Sequence, residues 1–165
     1  MLLTLKPVTP ILIADDSDDD VFLIRRALEA ANILNPFRVV HDGGQVLDYL
    51  MGQPPYDDRT AFPLPGLLLL DLRMPRMDGF AVLNWIRQRS EFANLTVAVM
   101  TSAADIRDVN TAFALGANSF MIKPVDFMRF AEFTQALSGS WEWLSQSPEQ
   151  AAQAATAYAC EGVVA

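Results

Sequence analysis

Five short apolar runs, separated by stretches with helical periodicity, set the strongest limit on how this chain can fold. They are PILIA at 10–14, FRVVH at 37–41, LLLL at 67–70, LTVAVM at 95–100 and NSFMI at 118–122. Near-continuous apolarity, without alternation, marks strands covered on both faces, the pattern of a parallel sheet flanked by helices. Between the runs, Val21, Ile24, Ala27, Leu28 and Ala31 share one face of a helix predicted over 18–31, with Ser17 or an aspartate able to cap its start. Further helices are predicted over about 44–51, after a DGG turn, and over 79–90, 105–114 and 126–138. The element order is (βα)5. Parallel crossovers are right-handed and both sheet faces must be covered, so the expected architecture is a doubly wound open α/β sheet.

The chain has 165 residues, 52% of them apolar, enough for one domain with a full core. That domain is expected over 1–144. Residues 52–66, GQPPYDDRTAFPLPG, read as an inserted surface loop, and the alanine-rich 145–165 as a tail that forms an extra helix near Pro148 or stays disordered. Twelve basic against 20 acidic residues give a formal charge of −8, which argues against a nucleic-acid surface because phosphate backbones need a basic stripe. The single cysteine, Cys160, has no intramolecular partner. Pro7 and Pro10 interrupt the opening MLLTLKPVTP before an export-type core develops, and LPGLLLLDL is too short to span a bilayer. A cytoplasmic protein without membrane association is expected.

Ligands of open α/β sheets bind beyond the carboxyl ends of the strands. Here those ends carry Asp15 and Asp16 after the first run, Asp71 after the third, Thr101 and Ser102 after the fourth, and Lys123 before Pro124 after the fifth. Adjacent carboxylates repel unless a positive charge sits between them. Three carboxylates with oxygen donors around them form a hard-cation site that suits Mg²⁺, and a lysine and a threonine hydroxyl beside it fit a phosphoryl group. A carboxylate that attacks phosphorus needs charge neutralisation and in-line positioning, not deprotonation, which makes Asp71 the candidate nucleophile. Asp18, Asp19 and Asp20 read as a solvated, capped helix start, since aspartates favour the positive end of the helix dipole. His41, the only histidine, reads as structural.

The acidic pair Asp15-Asp16, the LLLLDLRMPRMDG segment around Asp71, VMTSA with Thr101 and SFMIKP with Lys123 together resemble a response-regulator receiver domain of bacterial two-component signalling, over roughly residues 10–138. The resemblance implies a flavodoxin-like strand order, 2-1-3-4-5. It implies that Asp71 accepts phosphate from a sensor histidine kinase or a phosphotransfer protein, and that Asp16, Asp71 and the Arg73 backbone carbonyl ligate Mg²⁺, with Asp15 acting through water. It also implies that Lys123 pairs with the phosphoryl oxygen, that Thr101 moves toward it, and that Phe120 is the aromatic switch which turns inward. The side chains of Arg73 and Ala103 stand where family members tune phosphoryl lifetime. The 52–66 insertion, NPFRVVHDG, ANSFMIKPVDF and SGSWEWL resemble the narrower group of stand-alone receivers that includes cyanobacterial phytochrome response regulators. That group implies a homodimer through residues 105–140, and no output domain is recognisable after 140. Two rivals stay open: a receiver-shaped scaffold that binds partners without phosphorylation, and an aspartyl-phosphate phosphatase of the haloacid-dehalogenase type. The second expects an acid two residues after the nucleophile, where this chain has Arg73.

Overall fold

The computed structural model describes residues 10–30, 35–102 and 105–123. The helix expected over 126–138, the tail from 145 and Ala103 lie outside the described residues. Within them the elements run β1 (Ile11–Ala14), α1 (Asp18–Ala30), β2 (Phe37–Val40), α2 (Gly43–Met51), β3 (Leu67–Asp71), α3 (Gly79–Arg87), β4 (Thr96–Thr101), α4 (Ile106–Ala114) and β5 (Ser119–Ile122). All neighbouring strands pair in parallel, in the order β2-β1-β3-β4-β5. The chain is a flavodoxin-like α/β fold with its switch point between β1 and β3, which places a crevice beyond their carboxyl ends.

The sheet is covered on both faces because each strand sends alternate residues to opposite sides. Leu12, Ala14, Leu68, Leu70, Val97 and Val99 point into a core shared with α2 and α3, through Val46, Leu50, Val82, Leu83 and Ile86. Ile11, Ile13, Leu67, Leu69, Ala98 and Met100 meet Val21, Ile24, Ala27 and Leu28 of α1 on the other face. The central strands are thus apolar on both sides, which is why their sequence runs show no alternation.

Helix α3 ends at Arg87, earlier than its periodicity suggests, and a single 3-10 turn follows at Ser90–Phe92. Arg87 ties the end of the helix to the segments that follow. Its guanidinium donates to the carbonyls of Gly116 at 2.9 Å, Phe92 at 3.2 Å and Leu95 at 2.9 Å, and to Asn118 Oδ1 at 2.8 Å. One side chain therefore satisfies carbonyls of the turn after α3 and of the loop after α4, which no helix or strand ladder pairs. Phe92, carried back by the turn, stacks on Trp85 with centroids 5.8 Å apart.

The 52–66 stretch is irregular, as expected of an insertion, and it is anchored. Arg59 donates to the carbonyls of Tyr49 and Leu50 at 2.8 Å each, where α2 ends in the left-handed Gly52. Tyr56 and Phe62 pack on Tyr49, whose hydroxyl donates to the Pro63 carbonyl at 2.9 Å. Among the described residues no helix is long and apolar enough to cross a membrane.

Candidate functional site

Asp15 follows β1 and continues its ladder, donating its backbone N–H to the Val40 carbonyl at 3.0 Å. Its side chain is buried, 1% exposed, and Oδ1 accepts from the Ser17 N–H at 2.9 Å. Ser17 in turn caps α1, its Oγ accepting from the Asp20 N–H at 3.3 Å. Asp16 between them is exposed. The end of β3 delivers Asp71, 5% exposed, into the same crevice, and the turn that follows sends the Arg73 N–H to Asp71 Oδ1 at 3.3 Å. One oxygen each from Asp15, Asp16 and Asp71 lie within 4.8 Å of one another.

Two glycines and a cap hold that turn. Asp78 caps α3 by accepting from the Ala81 N–H at 2.9 Å, and the Gly79 N–H donates to the Leu72 carbonyl at 3.0 Å. A Cβ at Gly79 would collide with the backbone carbonyl of Asp71, and one at Gly43 with the carbonyl of Met77. The MDG segment thus packs helix backbone directly against the aspartate's own backbone.

Lys123 comes from the end of β5, where its N–H donates to the Thr101 carbonyl at 2.6 Å. Its ammonium lies 2.6 Å from Asp15 Oδ2, 2.8 Å from Asp20 Oδ2 and 3.1 Å from Asp71 Oδ2. Burial disfavours the charge, yet hydrogen bonds to Asp15 and Asp20 and the charges of Asp15 and Asp71 outweigh it and raise the lysine pKa. Burial also pushes the Asp15 carboxyl above the ordinary aspartate value, with Lys123 pulling the other way.

Asp15, Asp16, Asp71 and Lys123 therefore meet in one place. Thr101 is fully buried at the end of β4, next to Lys123 through the backbone. Phe120 is buried in the core shared with Val97, Val99, Val109 and Ala112, its ring turned inward. Arg73 sends its guanidinium away from the crevice to α4, where Nη2 lies 3.0 Å from Asp108 Oδ2. His41 is structural in its contacts, with Nδ1 3.0 Å from the Asp15 carbonyl, tying the ends of β2 and β1.

The reading of Asp20 as a merely solvated helix start is corrected by its contact with the Lys123 ammonium. Its place one helical turn beyond Asp15 and Asp16 was the available signal, and three like residues in a row concealed which of them turns inward.

A divalent cation fits this donor set. Every side-chain ligand is a carboxylate oxygen, and the buried pair Asp15 and Asp71 already share one positive charge, the Lys123 ammonium, as a stand-in.

Comparison with known proteins agrees with this geometry. Residues 11–135 match the model of the response regulator receiver domain. The chain belongs to that family. It is 30% identical to the probable methanogenesis regulatory protein FilR2 of Methanothrix harundinacea, over 84% of this chain and 86% of that protein. The response regulator RPA3017, which acts in red light signalling of R. palustris, superposes with a TM-score of 0.77 at 30% identity, over 84% of this chain and 97% of that one. The Mn²⁺-bound form of the response regulator Rcp1 superposes with a TM-score of 0.72 at 27% identity, covering 84% and 96%. Rcp1 is from Synechocystis.

Proposed function

We propose that the chain is a phosphorylation-controlled signalling switch whose phosphoacceptor is Asp71. The observation that carries this is the meeting of the Lys123 ammonium with Asp15 and Asp71 at the ends of three strands. A carboxylate held beside an ammonium, next to further hard oxygen donors, is an in-line nucleophile whose product charge can be balanced. Asp71 Oδ attacks phosphorus of a phosphohistidine, the P–N bond breaks as the P–O bond forms, and the released imidazole nitrogen takes a proton from solvent. Asp16, Asp71 and the Arg73 carbonyl would hold Mg²⁺ directly, with Asp15 through water; when bound, the ion neutralises charge on the transferring oxygens. The Mn²⁺ form of Rcp1 supports a divalent ion at these carboxylates.

Lys123 then pairs with the new phosphoryl group and Thr101 closes on it. Phe120, having no hydroxyl, reports the state through burial alone. The donor is a sensor histidine kinase or a phosphotransfer protein, and the output is a changed protein-binding surface around 105–125. That surface also serves a homodimer through 105–140, for which a monomeric mass by light scattering at high micromolar concentration is the contrary result. The domain occupies 1–144. The phosphatase rival is weakened by Arg73, whose side chain turns to Asp108 and leaves no acid in that place.

Incubation with a small-molecule phosphodonor, with and without Mg²⁺, and intact mass measurement test the reading. A single phosphoryl adduct that needs Mg²⁺ and is absent in Asp71→Asn is expected. An unmodified chain in Mg²⁺ refutes it and favours the phosphorylation-independent scaffold.

A further inference from the structure

Among the described residues the Lys123 ammonium has three carboxylate contacts, and they are not equivalent. Asp15 and Asp71 belong to the oxygen cluster that fits a divalent cation, while Asp20, on the first turn of α1, stands outside that cluster. Asp20 is also the least buried of the three, its side chain 35% exposed against 2% for Asp15 and 6% for Asp71. A cation entering among Asp15, Asp16 and Asp71 competes with the ammonium for the same oxygens. Two positive charges sharing those carboxylates repel at close range. An ammonium driven from Asp15 and Asp71 without another partner would be left partly buried and unpaired, or would hold its place against the metal.

We propose that Asp20 is a positioning residue that holds Lys123 while the divalent cation occupies Asp15 and Asp71, and releases it to the phosphoryl group. The inference rests on the phosphoacceptor reading of Asp71. Ser17 fixes the geometry from below: its Oγ accepts the Asp20 N–H and its own N–H is bonded to Asp15 Oδ1, so one residue holds the Asp15 carboxylate and the Asp20 backbone, two of the three acids that share the lysine. The lysine can swing between an outer partner and an inner one without leaving its hydrogen-bonded place beside Thr101. Asp20 thereby separates two demands on one side chain: yielding to the metal, and remaining within reach of the phosphoryl oxygen.

The test is a double-mutant cycle on the full chain, with Mg²⁺ alone as probe and calorimetry as readout. With Lys123 present, Asp20→Asn should weaken Mg²⁺ binding roughly three- to fivefold, the upper part of the range a partly exposed ion pair supports. In a Lys123→Met background the same change should matter less than about twofold. Asp20→Glu should restore most of the affinity. In phosphorylation by phosphoramidate, Asp20→Asn should raise the Mg²⁺ concentration giving half-maximal rate and leave the rate at saturating Mg²⁺ at or above that of the parent chain. Equal weakening in both backgrounds makes Asp20 a bare charge acting on the cation and overturns the proposal, as does an unchanged affinity beside an intact Lys123. Where Lys123→Met does not fold, the hydrogen-bonded ammonium signal of Lys123 in nitrogen-edited NMR of the Mg²⁺-saturated chain decides. Its loss in Asp20→Asn supports the proposal and its persistence overturns it. A chain that binds Mg²⁺ yet gains no phosphoryl group refutes the phosphoacceptor reading, while the calorimetric cycle still judges Asp20 separately.

Discussion

Asp15 is the residue at which stability and chemistry pull apart. Its carboxylate is almost fully buried and its pKa is raised by that burial, so the folded state disfavours its charge compared with the unfolded chain. Between the ordinary aspartate pKa and the raised one, the folded chain binds more protons than the unfolded chain. Stability contributed by this group is therefore fully present below the lower value and declines as pH rises through the window. At neutral pH a standing penalty remains, offset in part by Lys123. Asp15→Asn should raise stability by about 1 kcal/mol in denaturant unfolding at pH 7, because Lys123 retains Asp20 and Asp71 as partners. The same variant should flatten the acid side of the stability profile and weaken Mg²⁺ binding. A lower midpoint at pH 7 would mean that the pairing with Lys123 outweighs the burial. Sequence reasoning found Asp15 because two acids after a buried run demand a counter-charge. It passed over Asp20 because an aspartate in the first turn of a helix has a sufficient ordinary explanation in capping and the helix dipole.

The turn from β3 to α3 shows how elements, more than single groups, set the place of Asp71, the proposed phosphoacceptor. Gly79 lies where any side chain would meet the Asp71 carbonyl, so the helix approaches the strand end as closely as backbone allows. Gly79→Ala should cost about 1–3 kcal/mol, the usual range for overpacking, and should slow phosphorylation of Asp71 more than the stability loss alone explains. Thermal melts paired with phosphodonor kinetics check this; a stable variant with parental kinetics would show that the turn can give way. From the same turn Arg73 reaches across to Asp108 on α4, linking the loop after Asp71 to a helix of the proposed output face. The pair is exposed on the arginine side, so its contribution to stability should be under about 1 kcal/mol. Its weight should fall on timing instead. Arg73→Ala and Asp108→Asn should change the aspartyl-phosphate half-life in the same direction, and the double variant should go no further than Arg73→Ala. Additive effects would show that the two side chains act independently.

At the scale of the whole molecule, the parallel sheet was legible because burial on both faces leaves an unbroken apolar run such as LLLLDL, whose interruption by Asp71 is itself the clue to the crevice. The strand order came from resemblance, since apolar runs say nothing about which strand neighbours which. The Arg87 contacts beyond the end of α3 were invisible for a related reason: its oxygen partners are scattered from Phe92 to Asn118, and only the fold gathers them. The same gathering concentrates negative charge at one end of the sheet in a chain whose formal charge is already −8. A divalent cation bound there relieves repulsion that exists only when the strand ends are assembled, so it should bind the folded chain and not the unfolded one. Linkage then sets the size of the effect: a free concentration one hundredfold above Kd should stabilise the fold by about 2.7 kcal/mol. For a chain of this length that corresponds to a rise of roughly 5–10 °C in melting temperature, reversed by a chelator. Asp71→Asn removes one carboxylate of the cluster and should shrink the rise at the same Mg²⁺ concentration, whereas a charge removed far from the crevice, as in Glu91→Gln, should leave it intact. A rise of equal size in parent and Asp71→Asn would place the ion elsewhere on the acidic surface.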